Sequence, residues 1–226
     1  MAFGINRAMA MGRLTKTPEL RRINGPNGDQ ACVNLTLKST ELKRDGSGYA
    51  NDYLRVVVFG KTAENIAQHL QENSPLYVEG RLHTSKWEDG HGQTRSAIEI
   101  IATETQFLPK ELDPNAVVGM NRVLVAGNVG SEPQSRMTGG GTPVGSVSLG
   151  VNGRKDATEW LPIVGYEQNG EAIGQVQKGQ MVQFEGRLHT RSWDGENGKQ
   201  YKTEIVADKV RGFEVPETAP GEGPAR

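Results

Sequence analysis

Tyr53 and Phe59 stand six residues apart, and Trp160 and Tyr166 repeat that spacing. In an extended strand an even spacing puts both rings on one face. Trp87 and Trp193 add a third ring to each set. Cations interleave them: Arg55, Arg81 and Lys86 with the first three rings, Arg187 and Arg191 with the second. Rings beside a basic groove hold single-stranded nucleic acid without sequence readout, because every base has a π-face. One such ring alone reads better as core packing. Three rings repeated in two sets beside arginine read as a binding face, with Phe59 open between the two readings. Other chemistries are poorly supplied. The chain has no phosphate-cradling glycine loop, no paired cysteines and no histidine pair at metal-ligand spacing on a helix. His83 and His189 are equivalents in a repeat rather than one site, and His69 and His91 are isolated. The expectation is a binding protein that is not an enzyme and uses no metal or cofactor.

The elements that must position these residues come twice. Glu-Gly-Arg-Leu-His-Thr occurs at 79–84 and again at 185–190, 106 residues later, and a Trp follows each time. Upstream, Asn6-Arg7, Gly12, Pro18 and Arg21 recur at Asn121-Arg122, Gly127, Pro133 and Arg136, 115 residues later. A repeat of this length in 226 residues means two copies of one domain, the second with a shorter middle. Each copy, about a hundred residues, suffices for one modest core.

Alternating apolar positions and turn residues predict strands over 6–14, around Val33–Leu37, and over 53–59, 76–87 and 94–108. Turns are predicted at 25–28 and 89–92. Ala63, Ile66, Ala67 and Leu70 at helical spacing predict a helix over 61–72. The second copy repeats the order over 121–129, 144–151, 159–166, 181–193 and 199–213. Its helix, near 171–177, is weakened by Gly174. The predicted fold is mainly all-β: two tandem five-stranded Greek-key OB-fold barrels, each with one short helix between strands 3 and 4. The expected domains are 1–108 and 120–214, with a linker at 109–119 and a disordered tail at 215–226. OB barrels bind oligonucleotides or oligosaccharides, so the fold alone does not choose a function. Leu54 and Leu161 point away from the rings, and are open to two readings: barrel core or a self-complementary contact between chains.

Net charge is −1, so any basic patch must be local. No run reaches membrane-span length, and the first ten residues lack a secretory pattern. Cys32, the single cysteine, excludes an intrachain disulfide, suits a reducing cytoplasm, and reads as a small buried hydrophobe.

The segments Met120–Gly130, Pro18-Glu19-Leu20-Arg21, Val57-Val58-Phe59-Gly60-Lys61 and Tyr77–Leu82 resemble the bacterial single-stranded DNA-binding protein family. The resemblance runs through nearly all of both copies, and is to the variant with two barrels per chain. It implies sequence-nonspecific binding of single-stranded DNA in replication, recombination and repair. It also implies base stacking at Tyr53, Phe59, Trp87, Trp160, Tyr166 and Trp193, and a homodimer presenting four barrels in the cytoplasm, on the nucleoid. Phosphate contacts are expected from Arg55, Arg81, Lys86, Arg187 and Arg191. His83 and His189 join them, standing where an arginine is common in the family. Leu42 departs from a frequent stacking aromatic, and Pro162 from the cation equivalent to Arg55. The family's acidic tail, which recruits protein partners, has no counterpart before Arg226, which leaves such partners unassigned. The alternative reading is a duplicated OB-fold adaptor of a replication or primosome assembly that binds DNA weakly.

Overall fold

The computed structural model describes residues 4–25, 28–43, 46–88, 92, 94–109, 119–152, 157–195 and 198–212. Most of the expected linker, the tail and His91 lie outside them.

In the first copy, period-two alternation makes long strands: β1 (Ile5–Leu14), β3 (Gly28–Leu42), β4 (Tyr49–Phe59), β5 (Pro75–Glu88) and β6 (Thr94–Phe107). These five close on themselves. β1 pairs with β5 and, at Leu14↔Leu37, with β3; β3 pairs with β4; β4 runs parallel to β6 at Val56↔Ile100; and β6 returns to β5. A sixth, short strand, β2 (Arg21–Gly25), hairpins onto β3. Its exposed residues show no apolar alternation, so the strand was not legible, and the centre of the turn expected at 25–28 lies outside the described residues. The second copy repeats the ring with β7 (Met120–Val129), β9 (Pro143–Asn152), β10 (Thr158–Tyr166), β11 (Met181–Gly195) and β12 (Gly198–Gly212), plus the short β8 (Gln134–Met137). The inward faces bury the aliphatic side chains, Leu54 and Leu161 among them, so both leucines are barrel core.

Helix α1 (Gly60–His69) and helix α2 (Glu167–Gln175) cap the barrels through Ala63 and Ile66, and through Gly170 and Ile173. Helix α2 starts four residues before its expected position. Its glycines weaken the isolated helix but let its backbone lie directly on β9: a Cβ on Gly170 would fall 2.7 Å from the Pro143 carbonyl oxygen. Tertiary packing here overrides helix propensity.

The repeated motifs have structural roles. The β5–β6 register shifts between Glu79 and Gly80, and the β11–β12 register between Glu185 and Gly186. A Cβ on Gly80 or Gly186 would collide with the carbonyl oxygen of Ile101 or Val206. The next core leucine is clipped by a side-chain amide. Asn6 accepts from the Leu82 N–H at 2.8 Å and donates to its carbonyl at 3.0 Å. Asn121 does the same to Leu188, at 3.0 and 2.7 Å.

One feature was not legible in the sequence. β1 pairs antiparallel with β7, from Ile5↔Ala126 to Met11↔Met120. The two barrels therefore share one twelve-stranded sheet, related by an approximate two-fold axis near the Ala8↔Val123 pair.

Candidate nucleic-acid interface

Strand pleating separates the site from the core. Along β4, Leu54 and Val56 point inward while Tyr53 and Arg55 point out. Along β10, Leu161 and Ile163 point inward while Trp160 is exposed. Tyr53 is 54% exposed and Trp160 52%, values that no core ring would show. Trp87 and Trp193, near the tips of the β5–β6 and β11–β12 hairpins, are also exposed. Arg55 lies over the Trp87 ring at 5.7 Å from its centroid, and Arg191 over Trp193 at 5.2 Å. Each arginine covers one face of its ring, so a base would stack on the other face; Arg191 also lies 3.3 Å from Glu204.

The ring of Trp160 lies against the backbone of Gly130 and Gly150, where a Cβ at either position would run into it. One face of the indole is thus seated and the other is open. At the equivalent of Gly150 the first barrel has exposed Lys38, directly across the ladder from Tyr53.

A groove of about 860 Å³ runs between the barrels and collects rings from both: Tyr53 and Trp87 from the first, Trp193 and Tyr201 from the second, with Arg55 and Lys202. Phe59 and Tyr166 do not line this groove. Six residues along the strand, roughly 20 Å from Tyr53 and Trp160, they form the N-caps of α1 and α2. Phe59 is half-buried and Tyr166 exposed. Lys86 is exposed beside Trp87.

The structure gives the remaining sequence-derived cations other neighbours. His83 Nδ1 lies 2.7 Å from Glu159 Oε1, and His189 Nδ1 lies 3.0 Å from Asp52 Oδ1. Each histidine thus meets a carboxylate of the opposite barrel. The Thr84 N–H donates to Glu159 Oε2 at 3.1 Å, and Asn121 Nδ2 donates to Asp52 Oδ2 at 3.1 Å. Arg81 approaches the same Glu159 at 3.8 Å, and Arg187 is half-buried at the equivalent place on β11. Within the hexapeptide it is therefore His83 and His189 that join the barrels, with Arg81 and Thr84 beside His83 in the first copy.

On the outer face of the shared sheet, the Tyr77 hydroxyl donates to Glu79, whose other oxygen is 2.6 Å from Arg7 Nη2. The hydrogen bond to Glu79 pushes the Tyr77 phenol up to about 12. The same bond, with Arg7, holds the Glu79 carboxyl below its ordinary value. Burial raises the Cys32 thiol, which keeps it protonated.

Three exposed residues of the surface escaped the sequence reading: Tyr49, Tyr201 and Lys202. Tyr201 pairs across the hairpin with Ser192, and its counterpart in the first barrel, opposite Lys86, is Ser96. Because the repeat does not carry this ring, comparing the copies could not reveal it. Among the described residues, no three His, Cys, Asp or Glu side chains converge as a metal site. No helix among them is long and apolar enough to cross a membrane.

Residues 5–108 and 120–213 each match the Single-strand binding protein family. The single-stranded DNA-binding protein of Thermus thermophilus is 29% identical over 243 residues, taking in 100% of this chain and 88% of the relative. That of Deinococcus radiodurans is 31% identical over 231 residues, 93% of this chain and 76% of the relative. The crystal structure of the wild-type single-stranded DNA binding protein from Thermus aquaticus matches with a TM-score of 0.76 at 27% identity, over 100% of this chain and 97% of that one.

Proposed function

The chain belongs to the single-strand binding protein family and binds single-stranded DNA, and we propose that it does so by laying bases on the exposed rings of both barrels while nearby cations take the phosphates. The observation that carries this mechanism is the arginine set over an exposed tryptophan in each barrel, at 5.7 Å and 5.2 Å. Stacking needs only a π-face and phosphate contact needs only charge, so binding is indifferent to sequence.

The stacking set is Tyr53, Phe59, Trp87, Trp160, Tyr166 and Trp193. Arg55, Lys86 and Arg191 are its principal phosphate contacts. Arg81, His83 and His189 meet carboxylates of the opposite barrel, where they contribute more to the angle between the barrels than to the strand, and Arg187 holds the position equivalent to Arg81. The protein works without catalysis, coating strands exposed in replication, recombination and repair in the cytoplasm, on the nucleoid. The two barrels act as domains near 1–108 and 120–214.

Two chains assemble through the outer face of the shared sheet, giving four barrels. In support, Met9, Met11, Met120 and Leu124 are half-exposed there, opposite the buried Ala8 and Ala10. Faces of this kind suit a symmetric, self-complementary contact. Light scattering should give the mass of two chains, and a single-chain mass refutes this assembly.

Fluorescence titration with oligo-dT tests the binding mode. Saturable quenching of the three tryptophans is expected from stacking. Weak, unsaturable binding would favour the adaptor reading instead.

A further inference from the structure

The groove between the barrels contains a ring that the repeat does not account for. Along the β11–β12 hairpin, Tyr201 pairs with Ser192 while Trp193 pairs with Gln200. Adjacent positions point to opposite faces, so the two rings lie on opposite sides of one hairpin. Trp193 shares its side with Arg191. Tyr201 shares its side with Thr190 and Thr203, whose hydroxyls lie 2.8 Å apart. That second side helps line the groove, together with Tyr53 of the first barrel.

We propose that Tyr201 is a stacking platform for the bases of a single strand that crosses from the first barrel to the second within one chain. This rests on the reading of the protein as a single-strand binder. Tyr201 is 64% exposed, so the core does not hold it. At about 860 Å³ the groove is comparable in volume to ligand clefts. Arg55 is the cation it offers a polyanion: Lys202 also lines it but lies 3.4 Å from Glu204, and the Asp52 carboxylate on its wall is already engaged by His189 at 3.0 Å and Asn121 at 3.1 Å. A base entering here meets a ring from each barrel.

The equivalent crossing on the other side of the two-fold axis differs. There the β5–β6 hairpin lies along β10, with the Thr84 hydroxyl donating to the Trp160 carbonyl at 3.2 Å. It carries Lys86 and Ser96 where β11–β12 carries Ser192 and Tyr201. One crossing therefore offers two rings, and the other a ring and a cation.

The test compares wild type, Tyr201→Ala and Tyr201→Phe on a short and a long oligo-dT. One OB fold occupies about 4–16 nucleotides, so strands of roughly 8 and 35 nucleotides separate one barrel from two. Tyr201→Ala should bind the long strand about 5- to 100-fold more weakly, a typical loss for one stacked base, and should bind the short strand as wild type does. Tyr201→Phe should restore the long-strand affinity. A long strand carrying 5-iododeoxyuridine should photocrosslink at Tyr201 in the wild type. Unchanged long-strand affinity with no crosslink at Tyr201 overturns the proposal. An equal loss on both lengths also overturns it, by assigning Tyr201 to the second barrel alone. If the broader binding reading were wrong, the wild type itself would fail to bind and Trp160→Ala and Trp193→Ala would change nothing, a pattern distinct from either.

Discussion

At the cross-strand pair Tyr53↔Lys38 the first barrel sets a ring beside a cation, and at the equivalent pair Trp160↔Gly150 the second sets a larger ring on bare backbone. The contrast continues along the face. Arg55 of the first barrel is replaced by Pro162, and Lys86 by Ser192, while Ser96 gives way to Tyr201. The second barrel does have Arg191 and Lys202, but Glu204 holds both, at 3.3 and 3.4 Å. One scaffold has thus been finished in two ways. At these positions the first barrel carries the freer cations and the second the additional rings.

The sharpest way to break this comparison is to remove one ring from each side. Loss of one stacked ring costs about 1–3 kcal/mol. Trp160→Ala should fall near the top of that range and Tyr53→Ala near the bottom, read as affinity for a long oligo-dT. An equal or larger loss from Tyr53→Ala would erase the assigned division.

The scaffold should be tested next, because its two asparagine clips differ in burial. Asn121 is 2% exposed and bonds both Leu188 and Asp52, whereas Asn6 is half-exposed. Asn121→Ala should destabilise by about 1–3 kcal/mol in urea melts, the cost of leaving buried groups unsatisfied. Asn6→Ala should cost less. If the order reversed, the clip at the second barrel would not be what holds the junction.

Charge gives a smaller effect. Each neutralised phosphate contributes about 0.7 to the slope of log affinity against log salt on single strands. Arg55→Ala should make that slope shallower by close to one contact, equally for dT and dA strands. Arg191→Ala should change it less, because Glu204 already offsets part of its charge. A loss confined to one base composition would mean that the arginine reads bases.

The smallest effect is on stability at high pH. The Tyr77 phenol, ordinarily near 10, is raised to about 12 by its bond to Glu79. A raised folded-state pKa means that this stabilisation is fully present below pH 10 and is lost as pH climbs toward 12. The Tm advantage of wild type over Tyr77→Phe should be visible at pH 8 and shrink through that window. The equivalent residue in the second barrel, Gln183, does not ionise, so Gln183→Ala should show no such trend. A pH-independent Tyr77→Phe difference would remove the hydroxyl as its source.

These contrasts mark what a sequence can and cannot carry. The repeat was legible because a glycine at a register shift and an asparagine clipping a strand each tolerate few substitutes. The exposed faces of β4 and β10 were legible because period-two alternation is local. His83 and His189 were not, because their partners Glu159 and Asp52 come from the opposite barrel, and nothing near in sequence announces a pairing across the junction. The short strands β2 and β8 were hidden for another reason: their exposed residues carry no apolar pattern. Tyr201 was missed because the first copy has Ser96 at its place, so the repeat does not point to it.

The pairing of β1 with β7 has a consequence for how the two halves could change over time. When two separate copies of one domain meet along such a strand, every substitution appears on both sides of the axis and must suit itself. Joining the copies in one chain lifts that requirement, since each half can drift while the tether keeps its neighbour at hand even in dilute solution. A proline can stand where the other half keeps an arginine, and a tyrosine where it keeps a serine, without either being imposed twice. Covalent fusion thus turns an enforced symmetry into a merely inherited one.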